Sequence, residues 1–130
     1  MHAFVTGAGR GVGRAIALRF ARDGYAVAVA GRSEPQLQTT SRAIVDAGGK
    51  AIPVLCDVAS REAVARALAR AEQEFGPIDV LVNNAGISES ASFVSMDDGV
   101  WDRTIAVNLT GTYHCMRAVA PGMFVWLRRH

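Results

Sequence analysis

Two amides, an alanine and a glycine stand in a row at Asn83-Asn84-Ala85-Gly86, directly after the apolar run Val80-Leu81-Val82. That run reads as a buried parallel strand. Packing does not call for this set at a strand end, but ligand binding does. Glycine lets backbone approach a bound molecule, and side-chain amides bridge neighbouring strands. A second such place opens the chain, where Thr6-Gly7-Ala8-Gly9-Arg10-Gly11-Val12-Gly13 forms a glycine-rich turn between a strand and a helix. The free N–H groups at that helix N-terminus make an anion site suited to a pyrophosphate. Gly7, Gly11 and Gly13 permit the tight turn, the backbone approach and close helix packing. Together the two places point to a nucleotide cofactor.

Glycine spacing narrows the choice. The dinucleotide fingerprint G-x-G-x-x-G needs glycine where Val12 stands, and a P-loop needs a lysine that is absent. What remains is G-x-x-x-G-x-G. Gly7-Ala8-Gly9-Arg10-Gly11 also fits the loop of methyltransferases that bind S-adenosylmethionine. Those proteins carry acids before the first glycine and at the end of the second strand. Here the positions are Val5-Thr6 and Gly31-Arg32, and Asn83–Gly86 has no role in that alternative.

The elements that must hold these residues alternate strand and helix. Strands are expected at Ala3–Thr6, Ala26–Ala30, Ala51–Leu55 and Ile78–Val82, with Pro53 marking the third as an edge. Helices are expected from Val12 to Asp23, from Ser33 to Gly48-Gly49, and from Ser60 to Gly76-Pro77. Ser33 with Gln36 reads as a capping box. A fourth helix begins near Asp97–Val100 and is expected to stop near Ala120, before Pro121. Ile87–Met96 is a polar loop. Such alternation with short connections predicts an α/β fold, a three-layer Rossmann-like parallel sheet with helices on both faces, truncated after four strands and four helices.

One domain is expected from 130 residues, half of them apolar and a fifth charged. The net charge of +2 is too small to argue for nucleic acid or a membrane surface. Nearly all basic residues are arginine, Lys50 being the exception. No apolar run reaches transmembrane length, and Met1-His2 leads straight into a strand without a signal peptide, so a cytoplasmic protein is expected. Cys56 and Cys115 form no metal-ligand spacing and read as reduced packing residues.

The chain resembles the N-terminal half of a short-chain dehydrogenase/reductase. The resemblance is carried by Thr6-Gly7-x-x-x-Gly11-x-Gly13, Cys56-Asp57-Val58, Asn83-Asn84-Ala85-Gly86 and Val107-Asn108, in that order over residues 3 to about 121. Within the family it is nearest to 3-oxoacyl-carrier-protein reductases and sugar or polyol dehydrogenases. The resemblance implies a cofactor-binding domain over residues 1–121, with residues 122–130 as an atypical tail. It implies that Gly7 through Gly13, Val12 included, hold the pyrophosphate and adenosine ribose. Asp57 would accept from the adenine amino group, with Val58 against the ring. Asn83, Ala85 and Gly86 would line the cofactor while Asn84 ties strands together. Asn108 would be the helix asparagine of the catalytic tetrad, organising a water in the proton relay. Simpler roles stand beside these: Asp57 as a turn cap before Ser60, and Asn108 as a solvent-facing residue. Tyr113 and His114 read as helix packing residues.

Cofactor choice has a physical argument. NAD recognition uses a carboxylate at the end of the second strand to bond both ribose hydroxyls. Gly31 stands there, with Arg32 next and Arg10 in the glycine turn. Two guanidinium groups suit the adenosine 2′-phosphate, so NADP(H) is expected over NAD(H). The alternative is two solvated surface arginines.

The implied activity is hydride transfer between NADP(H) and a small carbonyl or alcohol substrate. The serine and the Tyr-x-x-x-Lys of that family have no counterpart here. Neither Tyr25 nor Tyr113 has lysine four residues on. After Pro121-Gly122 the residues Met123–His130 fit no pattern of the family and read as an abrupt or frame-shifted end. A non-catalytic nucleotide-binding fragment and one half of a split enzyme are the alternatives. The fourth strand is expected to be apolar on both faces with an unpaired edge, so self-association or a complementing C-terminal half is expected.

Overall fold

The computed structural model describes residues 1–130. Four strands form one parallel sheet: β1 (His2–Val5), β2 (Ala26–Gly31), β3 (Lys50–Leu55) and β4 (Val80–Val82). Their spatial order is β3-β2-β1-β4, so β3 is an edge strand, consistent with Pro53. The helices are α1 (Gly11–Arg22), α2 (Glu34–Asp46), α3 (Arg61–Phe75), α4 (Asp98–Ile105) and α5 (Gly111–Arg129).

Alternation along the strands sorts the core into two layers. Phe4, Ala28 and Ala30 face α3 and α5, where they join Val64, Leu68 and Cys115. Val5, Val27 and Val29 point the other way, into a cluster with Ala17, Leu37 and Ile44 of α1 and α2. The sheet therefore carries helices on both faces, the expected three layers. The chain grows outward from β1 through β2 to β3, then returns across the sheet to place β4 on the other side of β1. Such a reversal leaves a crevice at the carboxyl ends of the strands, where ligands of open α/β sheets bind.

Ser60 caps α3 as expected, its hydroxyl accepting from the Ala63 N–H at 3.1 Å. Ser33 does not complete a capping box, because its side chain makes no cap bond to α2. Gln36 instead leans toward Gly9, where an added Cβ would meet the Gln36 Cβ at 2.9 Å.

The last helix departs from expectation in two ways. A π-helical turn, Ala106–Thr110, joins α4 to α5, so the expected single helix is divided. Pro121 also does not end it: α5 runs on to Arg129. Proline removes one backbone donor, but its φ is itself helical. Beyond it, Met123 packs against the core cluster and holds the next turn. β4 is half-buried rather than buried on both faces, because nothing pairs with its outer edge. No helix is long and apolar enough to cross a membrane.

Candidate nucleotide-binding site

The carboxyl ends of all four strands open onto one cleft of about 570 Å³, within the usual size of small-molecule sites, roughly 300–1,000 Å³. Each end brings its own chemistry.

The first end is the glycine turn. Gly7 and Gly11 have φ of 63° and 57°, a region closed to most side chains. Gly13 is glycine for a different reason. A Cβ there would stand 2.0 Å from the Gly7 carbonyl oxygen and 2.4 Å from Asn84 Nδ2. The first turn of α1 thus presses directly against the strand end. Arg10 precedes α1 with extended backbone and gives no side-chain cap. The N–H groups of that helical turn consequently remain available to an anion.

The second end is Gly31-Arg32. A Cβ at Gly31 would lie 3.1 Å from Leu37 Cδ2, and Leu37 is fully buried. A carboxylate at this position would need Leu37 to give way. Arg32 and Arg10 both line the cleft, and neither is in an ion pair, unlike Arg19, Arg70 and Arg103. Two arginines outside any ion pair therefore line one opening.

The third end carries Cys56, Asp57 and Val58. Asp57 does make the local turn: its Oδ1 accepts from the Ala59 N–H at 3.0 Å. That bond uses part of one carboxylate, which has lone pairs to spare for a ligand donor. Val58 is buried, and α5 closes on it. A Cβ at Gly111 would stand 2.6 Å from Val58 Cγ2, and His114 Nδ1 lies 2.9 Å from the Val58 carbonyl oxygen. His114 is thus a packing residue. Tyr113, next to it, is exposed. Cys56 and Cys115 are buried free thiols. Burial, then the Cys115 thiol and the Asp57 charge, push Cys56 up to about 12, and burial pushes Cys115 up to about 11. Both thiols are held protonated and inert at neutral pH.

The fourth end is the amide stretch. Asn84 ties it to the glycine turn: Nδ2 donates to the Thr6 and Gly7 carbonyl oxygens, each at 3.2 Å. The Thr6 hydroxyl accepts from the N–H groups of Asn84 and Ala85 and donates to the Val82 carbonyl. Ala85 and Gly86 line the cleft, as does Asn84. Asn83 does not. It is exposed and outside the lining. The inward amide is the second of the pair.

Asn108 sits in the π-helical turn and is exposed, yet its amide is engaged. Oδ1 accepts from the Ile87 N–H at 2.8 Å and Nδ2 donates to the Ile87 carbonyl at 2.9 Å. This two-point pairing pins the loop after β4 against the helix. One N–H and one lone pair of the amide stay free. π-Helical turns occur mostly as single turns and frequently at functional sites. Gly9 lines the cleft with the rest of the glycine turn, and Val107 lines it beside Asn108. Gln36, Leu37 and Ile87 line it too and were not anticipated. They come from the first turn of α2 and from the loop after β4, which no local motif marks.

Polar backbone, a cationic rim and an apolar slot beside Val58 fit a dinucleotide. The comparisons with known proteins agree. The family model for short chain dehydrogenases matches residues 1–129. The short-chain reductase protein NovJ of Streptomyces niveus is 50% identical over 121 residues, which are 93% of this chain and 46% of that protein. The 3-oxoacyl-[acyl-carrier-protein] reductase FabG of Staphylococcus epidermidis is 39% identical over 93% of this chain and 50% of its own length. A metagenomic short-chain oxidoreductase crystallised in complex with NADP superposes with a TM-score of 0.91 at 39% identity, over 96% of this chain and 57% of that one. The chain spans about half the length of the curated relatives it matches. The methyltransferase alternative falls, because a single family accounts for the glycine turn and the amide stretch alike. The chain belongs to the short chain dehydrogenase family, oxidoreductases that bind a nicotinamide cofactor.

Proposed function

We propose that residues 1–121 are the cofactor-binding part of an NADP(H)-dependent oxidoreductase acting on a small carbonyl or alcohol. The observation that carries the choice of cofactor is the pair Arg10 and Arg32, unpaired on one cleft, with Gly31 where a carboxylate would serve NAD. The two guanidinium groups would bond the 2′-phosphate, Asp57 the adenine amino group, and the N–H groups of the Gly11 turn the pyrophosphate. Ala85 and Gly86 would lie along the dinucleotide. Asn108 would hold a water with its remaining donor and acceptor while still pinning Ile87. When bound, the cofactor supplies or accepts the hydride. We place such a protein in the cytoplasm.

Calorimetric titration with NADPH and NADH tests this. The native chain is expected to favour NADPH. Arg32→Ala is expected to cost on the order of 1.5–3 kcal/mol of NADPH affinity and little of NADH affinity. Equal affinities that Arg32→Ala leaves unchanged would refute the choice.

The free edge of β4 supports a second proposal, that a further strand pairs there and completes the sheet. The resemblance places a fifth strand against that edge. Leu109 of the π-helical turn and Tyr113, Met116 and Leu127 of α5 are exposed as well, at spacings that share one face. That strand belongs to a complementing C-terminal half, in the same or another chain, or, for residues 1–130 alone, to a second copy. Alone at micromolar concentration, residues 1–130 are expected to self-associate in light scattering. A stable monodisperse monomer would count against the proposal.

A further inference from the structure

Thr40 is wholly buried in α2, one turn beyond the residues of that helix that line the cleft. Its hydroxyl donates to the Gly9 carbonyl oxygen at 3.4 Å and accepts from Arg14 Nη1 at 3.4 Å. One turn earlier, on the same face of α2, Gln36 packs where Gly9 lacks a side chain. A Cβ at Gly9 would stand 2.9 Å from Gln36 Cβ and 3.3 Å from its Oε1. Residues four apart lie one above the other on a helix. Two side chains of α2 therefore grip one residue of the glycine turn.

The next residue is Arg10, whose extended backbone (φ −157°, ψ 171°) starts α1. Where the Gly9–Arg10 peptide is held decides where the Arg10 side chain sets out. Arg32 leaves the end of β2 just before α2 begins. Thr40 thus links the segment that carries Arg32 to the turn that carries Arg10.

We propose that Thr40, assisted by Gln36, is a positioning residue that sets the spacing of Arg10 and Arg32 and so governs discrimination for the 2′-phosphate. This rests on the NADP(H) reading above. Two guanidinium forks must meet oxygens of one phosphate, and charge-assisted bonds of that kind are geometrically demanding. The pyrophosphate is met by backbone N–H groups of α1, which the loss of the Thr40 hydroxyl leaves in place. The effect is accordingly selective.

The full chain is titrated with NADPH and NADH as native protein, Thr40→Val, Thr40→Ser, Arg10→Ala and the Arg10→Ala/Thr40→Val double variant. Thr40→Val is expected to weaken NADPH binding about five- to ten-fold, the worth of one to two hydrogen bonds, and NADH binding by less than about two-fold. Thr40→Ser, which keeps the hydroxyl, restores the preference. In the Arg10→Ala background Thr40→Val adds nothing. Equal weakening of both cofactors, or a full additional loss on top of Arg10→Ala, overturns the proposal. Should Thr40→Val fail to fold, Gln36→Ala at the exposed end of the clamp is read by the same criteria. A native chain without preference overturns the NADP(H) reading, and the positioning role with it. A native preference that neither Thr40→Val nor Gln36→Ala alters overturns the positioning role alone.

Discussion

Gly13→Ala is expected to destabilise the chain by about 3 kcal/mol or more and to abolish cofactor binding. Helix propensity alone argues the opposite, since alanine is better than glycine inside a helix by about 1 kcal/mol. Sterics decide. The added methyl would sit 2.0 Å from the Gly7 carbonyl oxygen, 2.4 Å from Asn84 Nδ2 and 2.7 Å from the Gly7 carbonyl carbon. Two of the three obstacles are backbone, and the third is the amide that holds that same carbonyl. Relief requires α1 to lift off the end of β1, which undoes the turn and the anion site together. Gly122→Ala in α5 is the control, because nothing lies within 4 Å of its added methyl. It should follow propensity and stabilise by roughly 0.5–1 kcal/mol. Urea denaturation of both variants measures the contrast. A Gly13→Ala chain that unfolds with the native midpoint and still binds NADPH would show that the loop yields freely.

Much of this architecture was legible because the signals are local. The continuous apolar run at Ala26–Ala30 marks a doubly covered strand, Pro53 an edge, and Ser60 a cap. Each depends on residues within a few positions. Glycines were legible for the same reason, since a positive φ at Gly7 and Gly11 is a property of the turn itself. The Ser33 box does not form, and Gln36 packs beside Gly9 instead, a contact outside the local pattern. Pro121 was misread because a contact at Met123, outside the local pattern, continues the helix past it.

The candidate site divides along the same line. That a cleft opens at this stretch follows from its composition; which amide lines it follows from the bonds of Asn84 to the Thr6 and Gly7 carbonyls across the sheet. The pairing of Asn108 with Ile87 spans twenty-one positions, and the Thr40–Gly9 bond spans thirty-one. Neither has a sequence signature, because long-range partners are chosen by packing. Asn108 is solvent-facing, as the simpler alternative has it, yet its amide is anchored to Ile87. The π-helical turn that presents it leads into α5, which packs on Val58 through Gly111, a contact that spacing along the helix does not reveal.

Residues 1–130 purified alone are expected to show no enzyme-like carbonyl reduction. Reduction requires a donor that stabilises the forming alkoxide and delivers a proton to it. Within these residues the groups near the amide stretch are Asn108, whose amide pins Ile87, and Thr6, whose hydroxyl is committed to Val82, Asn84 and Ala85. Tyr113 is exposed on the face of α5 and does not line the cleft. His114 is bonded to Val58, and both thiols are held protonated by burial. No side chain here is placed as a general acid. Losing acid–base assistance alone costs roughly 10²–10⁴-fold. NADPH should nonetheless bind, since its adenosine half meets residues that are present. The measurement is NADPH oxidation with a panel of ketones, aldehydes and 3-oxoacyl thioesters, alongside calorimetry on the same sample. Binding without turnover is the expected outcome. Turnover that appears only when a second polypeptide is added would support the split-enzyme arrangement at the β4 edge. Robust turnover by these residues alone, lost in Asn108→Ala or Tyr113→Phe, would overturn the expectation and mean that the last helix rearranges to bring a proton donor to the cleft.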